Sequence, residues 1–278
     1  MTDTDNAAQI DYWNATAGPI WARMQDQLDR QIAGIGAEAM RILAPDSGEH
    51  ILDIGCGCGQ TSVQLAERAG ALGAVTGVDI SAPMLEVARA RPVPAGAARP
   101  KFLQADAQSA DLGGGAFDAA FSRFGVMFFA DPPAAFANIR KALKPGGRMT
   151  FACWAPLADN PWMTTPLMAA APLLPPLQPP DPNAPGPFAF ADPERVRRIL
   201  GQGGFTAVDI ERFESPIGGG DLDAAVSLAL QVGPLGAVLR ENPGLKDKVA
   251  AVVRGALAPF ATPEGVKMPS AAWIVSAS

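Results

Sequence analysis

The sequence predicts an α/β fold built on a parallel, doubly wound sheet, and three observations carry that prediction. Short apolar runs alternate with amphipathic stretches between residues 50 and 154, which is the pattern of repeated βα units. Glycines at 55, 57 and 59 stand between the first run, "HILDIG", and the amphipathic "TSVQLAERA". Small residues there let the chain turn sharply beside the positive end of a helix. An acidic residue, Asp79, closes the second apolar run, about twenty residues after the glycines, where such sheets hold a ribose.

Taken in order, residues 5–43 read as helix with a break at Gly18-Pro19, Pro suiting the first turn of a new helix. "HILDIG" is a short, mainly apolar run that ends in glycine, the mark of a buried parallel strand. "TSVQLAERA" is the next helix, "AVTGVDI" the second strand, and "SAPMLEVARAR" a helix with Ser81 as its N-cap candidate and Pro83 in its first turn. "PKFLQADA" and "FDAAFSRF" follow as strands, "PPAAFANIRKAL" as a helix and "GRMTFACW" as a strand. Prolines over 155–187 exclude a long helix or a central strand, so 156–190 is expected to be a lid or loop. "DPERVRRILGQGGF" restores a helix with an Asp cap, "TAVDIERFESP" a strand, and 221–262 a helical insertion before a last strand, "AAWIVSA". The expected organisation is thus cap helices over 1–44, a ligand-binding core over 45–155, the Pro-rich segment, and the remainder of the core with its insertion over 191–278.

Charge narrows the partners. The formal net charge is −6 and no Lys/Arg run occurs, which argues against nucleic acid and other polyanions. No run of about 18 apolar residues suggests a membrane span, and "MTDTDNAAQIDYW" lacks the basic start and apolar core of a signal peptide. A cytoplasmic location is expected. Three cysteines are an odd count, with Cys56 and Cys58 two apart and no histidine beside them. Neither a disulfide framework nor a four-ligand metal site is expected.

The glycine loop can hold a nucleotide-like or zwitterionic ligand at the carboxyl edge of the sheet. A dinucleotide fingerprint needs GxGxxG, whereas the spacing here is GxGxG with Gln60 in the sixth position. A nicotinamide dinucleotide is disfavoured. Asp79 does not discriminate between ligands, but Asp53 does: a carboxylate just before the loop suits loop amides or an ammonium better than a pyrophosphate.

"ILDIGCGCG", "VDIS", "QADA", "FDAAFSRFGVMFF" and "LKPGGRM", in that order, together resemble the class I S-adenosylmethionine-dependent methyltransferases, particularly the ubiquinone/menaquinone C-methyltransferase-like enzymes of small molecules. The resemblance is close over residues 50–154, and "YWNATAGPIWARMQ" looks like the cap helices of relatives acting on small molecules. It implies a Rossmann-like sheet of seven strands with the last antiparallel between the fifth and sixth, a role "AAWIVSA" could fill. It implies S-adenosyl-L-methionine as cofactor. Asp53, with Gly55, Cys56 and Gly57 of the loop, would hold the methionine part; Asp79 the ribose; Ile80 and Met84 the adenine; Asp106 and the Ala107 amide the adenine edge. Ser122, on the cofactor side, and Arg123, on the acceptor side, would face the methyl group.

Beside the resemblance stand the residues themselves. The Cys56 and Cys58 sulfurs are expected to be bystanders, and His50, the sole histidine, lies at the end of the sheet away from the ligand edge. No general base is placed; Tyr12, Arg123, Asp131 and Asp159 remain as candidates, so the catalytic residue is left unassigned. Trp21, near Trp13 and Tyr12, could face a sulfonium through its π surface. Tyr12, Arg123, Phe124, Met127, Trp154 and Trp162 are expected around an apolar acceptor. The reaction expected is methyl transfer to a small, partly apolar acceptor by alignment and water exclusion, with a homodimer among the assemblies allowed. The alternatives are another reaction on a bound substrate, or a non-catalytic cofactor- or partner-binding protein.

Overall fold

The computed structural model describes residues 6–176, 181–218 and 220–278. Helix α1 (Ala7–Asp11) runs through one π-helical turn, Tyr12–Thr16, into α2 (Ala17–Leu43). The expected helix over 5–43 is therefore present from Ala7, with Asp5 outside the described residues. The irregularity falls at 12–16, and Pro19 lies in the first turn of α2, where an amide hydrogen has no intrahelical acceptor to lose.

Four strands and three helices then alternate: β1 (His50–Ile54), α3 (Gln60–Ala69), β2 (Ala74–Asp79), α4 (Ala82–Ala90), β3 (Lys101–Gln104), β4 (Phe117–Arg123) and α5 (Pro132–Ala142). After β5 (Leu143–Trp154) come α6 (Pro161–Ala170), α7 (Pro193–Gln202), β6 (Val208–Glu214) and β7 (Ile217–Gly218). The chain closes through α8 (Leu222–Ala229), α9 (Gly233–Glu241), α10 (Lys246–Leu257), β8 (Ala261–Thr262), β9 (Gly265–Met268) and β10 (Ala271–Ala277). The main sheet has seven strands in the order β3-β2-β1-β4-β5-β10-β6. Strands β1 to β5 pair in parallel, and β10 pairs antiparallel with both β5 and β6. The antiparallel last strand sits where the family resemblance put it. Because the order reverses at β1, which pairs with β2 on one side and β4 on the other, the sheet opens a crevice at the carboxyl ends of these strands.

Two apolar clusters hold the molecule. The main one packs α2, α3, α5 and α7 on the sheet, with Phe121, Phe136, Phe151 and Phe190 fully buried at its centre. The second joins α6 to the inserted helices and β9 through Val226, Leu235, Val249, Val253, Leu257 and Met268.

Three expectations need correction. The segment 156–190, expected as lid or loop, contains the ten-residue α6, with Pro161 at its start and Pro166 inside; residues 177–180 of it lie outside the described residues. Asn160 makes the helix feasible. Its fully buried amide donates to the carbonyls of Ala155, Pro156 and Ala271 at 3.1 Å each, and its Oδ1 accepts from Trp162 Nε1 at 2.9 Å. The expected insertion over 221–262 holds three helices and also β8, which joins a small sheet, β7-β9-β8, whose other two strands flank it. Ser81 does stand at the N-cap of α4, but its hydroxyl donates to the Trp13 carbonyl at 2.8 Å instead of capping the helix.

Candidate active site

A cavity of about 370 Å³ opens at the carboxyl ends of β1, β2, β4 and β5 and is roofed by α2 and the π turn. That volume lies within the range of small-molecule pockets. Its floor begins at the glycine loop. Gly55, Gly57 and Gly59 all have positive φ, at 63°, 52° and 77°, a region that L side chains rarely adopt. Space forbids a side chain as well: a Cβ on Gly55 would lie 2.7 Å from Gly125 Cα, and one on Gly57 2.7 Å from Met84 Cε. The turn after β1 and the turn after β4 thus touch backbone to backbone.

Asp53, in β1 two residues before Gly55, is fully buried and is absent from the cavity wall. Its Oδ2 accepts from the hydroxyls of Thr61 at 2.7 Å and Ser62 at 2.6 Å, while Oδ1 has no partner. Burial pushes its carboxyl up to about 6 against the pull of those two hydroxyls and of Arg123. Asp79 lines the cavity, and both its oxygens take backbone amides, Oδ2 from Gly57 at 2.8 Å and Oδ1 from Ser81 at 2.8 Å. Burial raises its carboxyl too, opposed by those amides. Asp79 therefore ties the glycine loop to the start of α4 and presents its remaining lone pairs to the cavity. Ile80, Met84, Asp106 and Ala107 line the wall beside it. Asp106 Oδ1 accepts from Gln108 N at 2.9 Å, and Asn138 holds this loop by donating to the Ala107 and Ala110 carbonyls.

The roof is fastened by Asn14 in the π turn. Its amide donates to the Ile80 carbonyl at 2.9 Å and its Oδ1 accepts from Ala82 N at 2.9 Å. Tyr12, Trp13 and Trp21 line the cavity, with Trp13 edge-on to Tyr12, Trp21 and Phe128.

From the turn after β4, which touches the glycine loop, the wall is aromatic. Phe124 stacks on Trp154 with ring centroids 4.1 Å apart, and Trp162 lies 4.9 Å from Trp154. Phe124 has φ of 64°, a strained value for a residue with a Cβ and a mark of functional positions. Met127 and Arg123 complete this end. Arg123 is anchored by Asp29 of α2 at 3.0 Å and by Gln60, and Asp29 also takes Arg91 at 2.7 Å. Burial lowers the Arg123 guanidinium while Asp29 holds it charged. Gly36 provides the space for its stem, since a Cβ there would meet Arg123 Cδ at 2.9 Å.

Of the expected site residues, all but Asp53 and Ser122 line the cavity. Ser122 is fully buried and its Oγ accepts from Gly125 N at 3.2 Å, so it shapes the turn from behind. The three cysteines are free and buried. Burial drives the Cys56 and Cys153 thiols upward and Cys58 up to about 12, which leaves them protonated and poor nucleophiles. No cluster that could hold a metal ion occurs among the described residues. The exposed His50 begins β1 at the opposite edge. Asp131 caps α5 and Asp159 pairs with Arg212, so neither serves as a base here.

Residues 51–147 match the family described as "Methyltransferase domain". Those residues are a methyltransferase domain, in keeping with the class I S-adenosylmethionine-dependent resemblance of residues 50–154. The chain is 35% identical over 172 residues to the O-methyltransferase cnsE of Penicillium expansum, covering 60% of this chain and 56% of that protein. It is 40% identical over 101 residues to a demethylmenaquinone methyltransferase of Thermus thermophilus, covering 36% of this chain and 45% of that protein. The chain spans about half the length of the curated relatives it matches. Its fold is shared with YcgJ of Bacillus subtilis at a TM-score of 0.57 and 18% identity, over 88% of this chain and 97% of that one.

Within this methyltransferase domain and its cap, sequence reasoning missed Asp29, Asn14, Gln60 and Asn160. Asp29 had a readable signal: it lies three residues before Ile32 and seven before Gly36 on the buried face of α2, where an unpaired carboxylate would be costly. Asn14 lay inside a quoted motif, yet nothing local to it names partners 66 and 68 residues away.

Proposed function

We propose that the protein binds S-adenosyl-L-methionine in this cavity and transfers its methyl group to a small, partly apolar acceptor. One observation carries the reading: Asp79, at the switch point of the sheet, is locked by the amides of Gly57 and Ser81 with lone pairs left toward the cavity. The site fits the cofactor on its own chemistry. The glycine loop leaves a cradle that a single Cβ would fill, and the buried Asp53 Oδ1 lacks a donor. Gly55, Cys56 and Gly57 would hold the methionine part, Asp79 the ribose, Ile80 and Met84 the adenine faces, and Asp106 with Ala107 its edge. Asp53, buried behind the wall, would act on the cofactor only through Thr61 and Ser62 of the helix that follows the loop. Trp21 offers a π face to a sulfonium. The cofactor supplies a methyl group already attached to a good leaving group.

The chain's own residues then align the acceptor and exclude water. Phe124, Met127, Trp154 and Trp162 give it an apolar bed, Tyr12 and Trp13 close over it, and Arg123 gives it a charged handle. Ser122 acts from behind by fixing Gly125. His50 is exposed at the far edge and Asp131 and Asp159 are engaged elsewhere, so of the candidate bases only Tyr12 and Arg123 line the cavity, and an acceptor that is nucleophilic on arrival needs neither as a base. The free cysteines support a reducing, cytoplasmic setting. Methyltransferases named for demethylmenaquinone and for aklanonic acid are among the relatives, which supports an acceptor of that size.

Titrating S-adenosylhomocysteine by calorimetry tests the assignment. Asp79→Ala should weaken binding at least tenfold, the loss of about one charged hydrogen bond. Unchanged affinity in that variant would sink the ribose assignment, and no binding by the parent protein would overturn the whole reading.

A further inference from the structure

A second cavity, of about 70 Å³, lies inside the smaller apolar cluster, between α6, α8, α9 and β9. It is lined by side chains such as Leu228, Ala229, Leu257 and Val266, with Gln27 and Gln31 as its polar rim. Gln31, Trp162, Met163, Val232 and Pro234 line both this cavity and the main one. The two spaces are therefore neighbours across a thin partition. Trp162 is fixed in that partition by its bond to Asn160, whereas Met163 is an unbranched, adaptable side chain. Empty apolar volume costs a core stability. A void kept beside a ligand cavity is explained most simply by a ligand that extends into it.

Size points the same way. The main cavity, at about 370 Å³, stands near the lower end of small-molecule pockets, and the cofactor alone would take much of it. An acceptor of any bulk needs room beyond the aromatic bed, and the adjoining space is apolar. We infer that the second cavity receives a hydrocarbon arm of the acceptor, admitted past Met163. The inference rests on the proposed function, because it assigns the arm to the molecule that the aromatic bed holds.

The probe is a series of 4-alkylphenols, from phenol to 4-hexylphenol, titrated into protein saturated with S-adenosylhomocysteine. Affinity should rise about fourfold per added methylene over the first carbons. In Ala229→Phe, which fills the second cavity from a residue outside the main one, phenol and S-adenosylhomocysteine should bind as before while the chain-length gain disappears. Met163→Ala should extend the gain to longer chains, and it carries the test if the first variant fails to bind S-adenosylhomocysteine. With S-adenosylhomocysteine bound, no phenol binding, an affinity independent of chain length, or equal gains in all three proteins would overturn the arm site alone. Failure of the parent protein to bind S-adenosylhomocysteine would overturn the proposed function and this inference together.

Discussion

At Asp53 a carboxylate is held in the core with one oxygen served by two hydroxyls and the other by nothing. Its folded value, near 6 against an ordinary 3.8, is raised, so the folded state binds the proton more tightly than the unfolded one. The sign follows from linkage: the stabilising contribution is complete below about pH 4 and is lost as pH rises to about 6. The amplitude is about 3 kcal/mol. Asp53→Asn should remove this part of the pH dependence, seen as urea midpoints that differ from the parent's by a pH-dependent amount between pH 4 and 6 and by a constant amount above. Parallel curves throughout would show that burial does not hold the proton. Asp53 was legible from sequence as a discriminating residue because it precedes a glycine loop; that it stands behind the wall was not, since strand alternation depends on which faces are covered.

Helix α2 does more than roof the sheet. Its Asp29 joins Arg91, just after α4, to Arg123, at the end of β4. Removing the shared partner leaves two cations in a largely desolvated place. Asp29→Ala should therefore cost about 3–5 kcal/mol, measured by chemical denaturation, and Asp29→Asn less, because its carbonyl still accepts hydrogen bonds. A cost under 1 kcal/mol for the alanine variant would mean that solvent screens the triad. Strands β1, β2, β4 and β5 were readable as largely apolar runs closed by glycine, aspartate or proline, β3, half polar and mostly exposed, by its place in the alternation, and the antiparallel β10 followed from the family resemblance. Helix α6 was not, because its prolines at 161 and 166 read as breakers while the anchor that tolerates them, Asn160, reaches Ala271, 111 residues away. The strands β7 and β8 are two residues long, too short for alternation to register.

Across the whole molecule two apolar cores meet at the site, one under the sheet and one in the insertion. A ligand that fills the seam stabilises the native state alone. S-adenosylhomocysteine at a hundred times its dissociation constant should add about 2.7 kcal/mol, a rise in Tm of roughly 5–10 °C, read by scanning calorimetry. The rise should come with slower amide exchange at the glycine loop and the start of α4. A Tm that does not move at saturation would contradict binding to the folded chain.

The contact between Gly55 and Gly125 has a bearing on the order of events. Each glycine leaves no room for a Cβ on the other's backbone, and Gly125 directly follows the strained Phe124 of the aromatic wall. Steadying the loop that cradles the donor thereby steadies the ring that receives the acceptor. Under the proposed function the two ligands would be heterotropically coupled through this contact, each tightening the other by the same factor, so the acceptor would bind more tightly with the donor in place and the product less tightly once the spent donor has left.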